Sequence, residues 1–315
     1  MRKRIFVYEY LSAGGPVDAG GEKSGRSELL PLGLSMRDAM LSDLLRDARF
    51  EVSVASGAAV PAELGHAAPV RPRAGEPASE FVARQAALHE LSWVVAPETG
   101  GLLAQLHRAV GPARWLGCDE AAIRLTSAKR ATLMHLSAAG VVTPLAFEQL
   151  PEVSRWVVKP DDGAGGFDTR LHRSQELALE DWRQRSRAGS PMAIEPWVDG
   201  EALSLSLLCR ARRTELLSIN RQRIAIDAQG MLSYDGVDVN AIAADSERGR
   251  ALARLADQVA GAIAGLRGFV GIDLVWHPRR GPVVIEVNPR VTCAYVGLSA
   301  ALGRNLAVEL VAGHA

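Results

Sequence analysis

The chain has 315 residues, with 36 Lys+Arg balanced by 36 Asp+Glu, 48% hydrophobic and 5% aromatic residues; that length calls for two or three structural units, and the neutral balance excludes a field that would draw nucleic acid or anionic lipid. Cys118, Cys209 and Cys293 stand far apart without CxxC spacing, so neither a disulfide framework nor a zinc site is expected, and a reducing cytoplasm fits. The basic start MRKRIFVYEYL fails as a signal peptide because Tyr8-Glu9-Tyr10 interrupts its apolar run, and no stretch approaches the roughly 20 apolar residues of a membrane span.

Residues 5–10 read as a first strand running into Ser12-Ala13-Gly14-Gly15, a turn of the kind that opens a cleft at the carboxyl end of a parallel sheet. The polar residues 16–34 read as a long loop over that cleft. Ser35 and Asp38 make a capping-box pattern, and Met36, Met40, Leu41, Leu44 and Leu45 follow at helical spacing, which predicts a helix from residue 35. A strand at 50–54, an irregular stretch at 55–78, a helix at 79–90, a strand at 91–96 and a helix at 102–110 complete a doubly wound α/β unit ending near residue 118. The pattern then changes. A helix over 119–136 carries Lys129, a strand over 156–160 carries Lys159, and Asp161-Asp162-Gly163-Ala164-Gly165-Gly166 follows. Strands are predicted at 192–198, from 203 and over 216–226, with a helix at 246–266 and a closing helix at 302–311.

Two apolar runs, 269–276 and 283–287, flank His277-Pro278-Arg279-Arg280-Gly281-Pro282 and predict a hairpin. A turn centred between Arg279 and Arg280 sets Trp276 against Val283 and Asp273 against Glu286. Alternation then puts Glu286 and Asn288 on one face with Asp273 beside them. Facing carboxylates repel unless something cationic lies between, and two carboxylates with an amide suit a hard ion such as Mg²⁺. A solvated hairpin face carrying two acids by chance is the alternative. A glycine loop after a strand brings bare N–H groups against phosphate. Residues 161–166 lack a Walker pattern and taken alone read better as an ordinary surface turn; what raises the phosphate reading is Lys159, which on an otherwise apolar strand points either to the surface or into a cleft.

Lys129, WVVKP at Lys159, the glycine loop, IEPWVDGE at residues 194–201, Asp273 and EVNPR at 286–290 stand in the order seen in ATP-grasp ligases. The chain resembles that superfamily over residues 115–310. The resemblance implies an α/β fold with a pre-ATP-grasp domain at 1–118 and an ATP-grasp domain at 119–315, the latter split into a nucleotide-lid part (119–200) and a metal-binding part (201–315). It implies Lys129 and Lys159 on the phosphates of ATP, with Gly163, Gly165 and Gly166 closing over them. Glu195, Trp197 and Val198 would read the adenine, and Glu201 the ribose. Pro196 has no N–H, so backbone reading of the base falls to Trp197 or Val198. Asp273, Glu286 and Asn288 would hold Mg²⁺ or Mn²⁺. Arg290 and Arg221, with Lys159, would serve the transferring phosphoryl group.

The YEY strand end, APETGGLL at residues 96–103, TSAK at Lys129 and INRQ at 219–222 look like the tyramine-glutamate ligase group of methanofuran-type cofactor biosynthesis. The implied reaction joins a carboxylate, glutamate, to an amine, tyramine or tyrosine, through an acylphosphate. Rivals are an amino-acid or dipeptide ligase of another pathway, and a nucleotide-binding regulatory protein without turnover. Glu9, beside Gly14 and Gly15, is a candidate for the acceptor ammonium, and a solvated strand-end acid is its alternative. Arg223 or Arg290 is a candidate for the donor carboxylate. Tyr8 and Tyr10 face away from Glu9, leaving Tyr234 or Tyr295 as an aromatic wall. The expectation is a cytoplasmic ligase with small-molecule partners, compatible with a homodimer and without nucleic-acid or membrane partners.

Overall fold

The computed structural model describes residues 2–15, 24–57, 65–163, 166–189, 191–211 and 213–314. Three sheets organise them. In the N-terminal part, β1 (Lys3–Glu9), β2 (Phe50–Ala55), β3 (Ala68–Val70) and β4 (Leu91–Val95) form a parallel sheet in the order β3-β2-β1-β4. Alternation along β1 sorts its two faces. Phe6 and Tyr8 pack with Phe81, Val82, Leu103 and Leu106 of α2 (Ala78–Ala86) and α3 (Leu102–Val110), whereas Ile5 and Val7 pack with Met36, Met40 and Leu44 of α1 (Ser24–Leu45). Helices therefore cover both faces, as a parallel sheet requires. Glu9 continues the α1 face, opposite Tyr8, as the period of two demands.

Helix α1 begins at Ser24 and not at Ser35, so the described part of the expected 16–34 loop is helical. Ser35 is internal, and its hydroxyl donates to the Pro31 carbonyl at 2.8 Å instead of capping; the helix already runs through the residues that the signature would have capped. Within the stretch read as irregular, residues 68–70 add an edge strand, parallel to β2.

The helix expected over 119–136 is two. α4 (Glu120–Ser127) and α5 (Lys129–Ala138) meet at Ala128, whose φ −103° and ψ 100° are extended. Asp161 makes this break possible. Its carbonyl accepts from the Lys129 amide at 2.9 Å and its carboxylate accepts from the Arg130 amide at 2.8 Å, capping α5 from the loop after β5. Lys129 thereby becomes the first residue of a helix beside the glycine loop.

β5 (Trp156–Pro160), β6 (Arg170–His172) and β7 (Met192–Pro196) form an antiparallel sheet in the order β6-β5-β7, with α6 (Gln175–Arg187) on one face through Trp156, Val158, Ala178 and Trp182. β6 and α6 have no counterpart in the sequence reading. The third sheet is antiparallel, β10-β9-β8-β11-β12, from β8 (Glu201–Arg210), β9 (Arg213–Ile226), β10 (Leu232–Asp238), β11 (Gly268–His277) and β12 (Gly281–Asn288). Leu203, Leu205, Leu207, Ile272 and Leu274 turn toward α7 (Glu247–Ala262), capped by Ser246 Oγ on the Gly249 amide at 2.9 Å.

The β11–β12 hairpin turns about Arg279 and not between Arg279 and Arg280. Its loop is Pro278-Arg279-Arg280, closed by Gly281 at φ 71°, so Trp276 faces Pro282 rather than Val283. A bulge at Ile285 then restores the register, and Asp273 faces Glu286.

After β12 the chain returns to the N-terminal part. The closing helix is also two, α8 (Leu298–Leu302) and α9 (Leu306–Ala312), broken at Gly303, φ 63°. Asp43 of α1 anchors this return. It accepts from the Tyr295 hydroxyl at 2.5 Å and from Ser299 Oγ, while its backbone carbonyl accepts from Asn305 Nδ2 at 2.8 Å. Tyr295 is thus a buried structural residue, edge-on to Trp93 and Phe269, not an aromatic wall of a cleft. Asp43→Ala leaves two buried hydroxyls without an acceptor, and urea denaturation is expected to show a loss of about 2–4 kcal/mol; a loss below about 0.5 kcal/mol would show that this anchor contributes little.

Candidate active site

The polar faces of the two antiparallel sheets oppose each other across a cavity of about 1070 Å³, which also reaches the carboxyl edge of the parallel sheet. That volume exceeds what one drug-sized ligand fills. On the three-stranded side, alternation sends Val157, Lys159 and Glu195 inward, opposite the α6 face. On the five-stranded side it sends Ala202, Ser204, Gln222, Asp273, Glu286 and Asn288 inward, opposite α7. At the third edge lie Glu9, Leu29, Leu32, Gly33 and Met36.

Lys159 is buried, and its ammonium donates to Glu195 Oε1 at 2.6 Å. An ammonium carries three donors, so this pair leaves Lys159 further hydrogen-bonding capacity toward the cavity. Lys129, also buried, reaches the Gly163 carbonyl and lies 3.2 Å from Glu286 Oε1. Burial alone would depress the Lys129 pKa, but Glu286 and Glu98 outweigh it and hold the ammonium charged.

Asp273 and Glu286 stand side by side as the alternation requires. The Asp273 carboxylate accepts from Gln222 Nε2 at 2.9 Å and from Asn288 Nδ2 at 3.0 Å. Burial, and then the charge of Glu286, push its pKa up to about 7 despite these amides. Negative charge is therefore under-compensated here, and an all-oxygen donor set under such strain fits a hard divalent cation. Among the described residues no cluster of three or more His, Cys, Asp or Glu is arranged for a metal, so a bound ion would draw its remaining ligands from the Asn288 amide, water and phosphate.

Arg290 lines the cavity and is held by Glu98, Nε to Oε1 at 2.8 Å and Nη2 to Oε2 at 3.1 Å. Gly163 and Gly166 line the cavity, whereas Gly165 lies outside the described residues. Trp197 and Val198 line it as well, but the Trp197 amide donates to the Arg155 carbonyl at 2.9 Å. Backbone contact with a ligand on that segment therefore passes to Val198.

Other expected residues lie elsewhere. Glu201 shares the α7 face with Leu203, paired to Arg221 Nε at 2.7 Å and to Arg248 Nη2 at 2.6 Å; burial raises its pKa, but the two guanidinium groups bring it below the usual value. Arg221 is on that same face, and Arg223 is paired to Asp238, because β9 presents Gln222, Ile224 and Ile226 to the cavity and the intervening residues to the other side. Gly14 and Gly15 are not cavity-lining. Gly15 gives room to the Tyr10 ring, where a Cβ would come within 2.5 Å, and Gly14 sits 3.6 Å from Gly57 Cα by the same measure. Glu9 lines the cavity but is 3% exposed, accepting from the Leu11 amide at 3.1 Å and the Ser12 amide at 2.7 Å. Burial raises its pKa, with these amides opposing. Tyr234 lines the cavity.

The sequence by itself assigns no role to Gln222, Glu98 or Asp161. The period-two alternation that selects Asp273 would also have selected Gln222, had the face of β9 been known. Glu98 has no local signal, because its partner is 192 residues away.

Residues 126–294 match the ATP-grasp domain family, and residues 50–123 match the pre ATP-grasp 3 domain. No curated protein sequence matches the chain significantly. Among solved structures, a protein from Archaeoglobus fulgidus assigned to the ATP-grasp superfamily is 22% identical, with 99% of this chain and 88% of that chain covered and a TM-score of 0.70. D-alanine–D-alanine ligase from Bacillus anthracis, complexed with ATP, is 15% identical over 99% of this chain and 97% of its own, TM-score 0.64. L-amino acid ligase from Bacillus licheniformis is 14% identical, covering 99% of this chain and 73% of that one, TM-score 0.65. At these identities the likeness is one of fold.

The Asp273 carboxyl sets a pH dependence in metal-free protein. Its folded value of about 7 stands above the ordinary 3.8, so the folded state holds the proton more tightly than the unfolded chain. That contribution is present in full below about pH 4 and is lost as pH rises through 7. Relative to Asp273→Asn, the metal-free wild type is expected to lose stability between those limits and to run parallel above them, as read by denaturant titration. A stability difference that does not vary with pH would contradict the assignment.

Proposed function

Because the chain belongs to the ATP-grasp family, we propose that it is an ATP-dependent ligase joining a carboxylate to an amine, with the nucleotide between the Lys159 face of the lid sheet and the Asp273 face of the large sheet. The single observation that carries this reading is the opposition of those two polar faces across one cavity that continues to Glu9 and Arg290. A nucleotide and a second ligand need such an extended space.

In this reading Lys129 and Lys159 bind phosphate oxygens, and the backbone at Gly163 and Gly166 follows them. Glu195 and the Val198 amide bind the base. Asp273, Glu286 and Asn288 would hold a divalent cation, Mg²⁺ or Mn²⁺, which would supply charge neutralisation for the phosphoryl transfer. The donor carboxylate oxygen attacks the γ-phosphorus, and the bond to the ADP oxygen breaks with its electron pair leaving on ADP. Arg290 faces this transfer with a fixed positive charge. The amine then attacks the acyl carbon, phosphate leaves, and the nitrogen loses its proton, for which the acceptor we assign is Glu9, a carboxylate lining the same cavity. No side-chain nucleophile is needed. Cys118 is buried with its thiol pKa pushed above the usual range by burial.

The substrate pair we assign is glutamate with tyramine or tyrosine, as in methanofuran-type cofactor biosynthesis and its one-carbon metabolism. Support comes from the YEY, APETGGLL, TSAK and INRQ segments and from the apolar wall of Leu29, Leu32 and Met36 beside Glu9, with Tyr234 across the cavity. An amino-acid or dipeptide ligase is the second reading, favoured by the full-length likeness to D-alanine–D-alanine ligase. Among the described residues no helix is long and apolar enough to cross a membrane, in keeping with small-molecule partners.

The deciding experiment measures ADP release across a panel of carboxylates and amines and weighs the product. Release with glutamate that tyramine or tyrosine does not accelerate, while another amine does, would overturn the substrate assignment. Two substitutions test the roles. Lys159→Ala is expected to weaken ATP about 10- to 100-fold and adenosine little, the lost interaction being a charged hydrogen bond of about 1.5–3 kcal/mol; equal weakening in calorimetry would remove Lys159 from the phosphates. Glu9→Gln is expected to slow amide formation more than about tenfold if the carboxylate takes the ammonium proton, and an unchanged rate would exclude that role.

A further inference from the structure

The segment APETGGLL at residues 96–103 leaves β4 at the carboxyl edge of the parallel sheet, and its Pro97, Thr99 and Gly100 line the cavity. Glu98 does not line it; its carboxylate lies behind Arg290, gripping the guanidinium through two bonds of 2.8 and 3.1 Å, and both side chains are almost wholly buried. Arg290 Nη1 donates to the Val291 carbonyl at 3.1 Å, so all three guanidinium nitrogens are fixed and the plane of the group is set. The same loop holds the other arm of the cleft, because the Gly100 amide donates to Asp162 Oδ2 at 2.9 Å, in the loop between β5 and the glycines. Gly100 and Gly101, at φ 62° and 69°, make the backbone turn that points this amide outward while the Gly101 amide returns to the Glu98 carbonyl at 3.0 Å. Burial would lower the Arg290 pKa, and Glu98 outweighs it.

We propose that Glu98 is the positioning residue for Arg290, and that through its loop the N-terminal part orients the reacting end of the nucleotide cleft. An arginine offered to a transferring phosphoryl group is useful only where charge develops, and a misplacement of about 1 Å is worth on the order of a hundredfold in rate. A flexible side chain on a strand end does not hold such a position unaided. The two-pronged carboxylate supplies the restraint, since the guanidinium and the carboxylate are both planar and match edge to edge. The restraint crosses between units: Glu98 lies in the loop that leaves β4 of the parallel sheet, and Arg290 just past the end of β12, the strand that carries Glu286 and Asn288. Turnover therefore depends on how the parallel sheet is seated against the cleft more steeply than nucleotide affinity does, because the groups assigned to the nucleotide stand on the other two sheets, on α5 and in the glycine loop, and Lys129 keeps Glu286 as its nearer carboxylate.

This inference rests on the ligase reading, and its test separates the two. Acylphosphate formed without amine is trapped by hydroxylamine as the hydroxamate, so the acceptor need not be known. A wild type that yields no hydroxamate with any carboxylate of the panel, glutamate included, overturns the ligase reading and this role with it. With an active wild type, Glu98→Gln is expected to lower kcat for hydroxamate at least tenfold, with the KM for ATP and the calorimetric affinity for Mg·ADP within about twofold. Glu98→Asp, which keeps the charge at a shorter reach, is expected to recover part of the loss. Because Glu98→Gln leaves a buried guanidinium unpaired and endangers the fold, the same substitution is also made in an Arg290→Met background, where it is expected to cost no further activity. A kcat unchanged by Glu98→Gln, losses that multiply in the double variant, or kcat and Mg·ADP affinity falling together would each overturn the assignment.

Discussion

Two carboxylates facing each other across neighbouring strands are the constraint around which this molecule is arranged. Asp273 and Glu286 repel, and the surrounding structure answers with partial charges and whole ones. Gln222 and Asn288 give amide protons to Asp273, and Lys129 stands beside Glu286. That Lys129 can do so depends on a helix broken at Ala128 and restarted against Asp161. The glycine loop is drawn into the same network through the Gly163 carbonyl. One electrostatic problem thus links a hairpin, a helix start and a loop that are far apart in the chain. Such a network is costly when partly satisfied and strongly specifying when complete.

The second organising contact is between units rather than within one. The N-terminal parallel sheet does not merely precede the cleft. Glu98 grips Arg290 from its edge, Gly100 holds Asp162, and Asp43 receives the returning chain at Tyr295, Ser299 and Asn305. The buried apolar core runs without a break from Phe6 and Leu106 to Leu205 and Val287. A boundary near residue 118 is a change in sequence texture, but residues after β12 pack on α1, so the covalent order and the spatial partition differ. Glu9 and Arg290 line one cavity and are thereby held in one frame.

The pairing of Asp273 with Glu286 was legible because it depends on a short-range rule. Asp273 and Glu286 face each other by hairpin pairing, and Glu286 and Asn288 share a face by alternation. The expected turn was displaced, and the pairing of the acids survived only because a bulge at Ile285 shifted the register back. Glu201, Arg221 and Arg223 show where the same rules ran out. Alternation states that Arg221 and Gln222 face opposite ways; it does not state which way is in. That sign is set by α7, whose packing against Leu203 and Leu205 assigns the leucines of that series in β8 to the core and turns Glu201 to the same side, partly exposed.

What the amino-acid sequence by itself determined was the kind of chemistry: spaced lysines, a glycine loop, paired acids and an Asn-Pro-Arg end are local patterns, and a strand's period of two carries them into space without knowledge of the rest. What only the tertiary structure decided was partnership across distance. Helix α1 starts at Ser24 and runs straight through the capping signature at Ser35, and Lys129 begins a helix because Asp161, 32 residues later, caps it. Glu98 meets Arg290 across 192 residues. Contacts of that separation depend on how three sheets close on one another, and no local preference of either residue encodes the other.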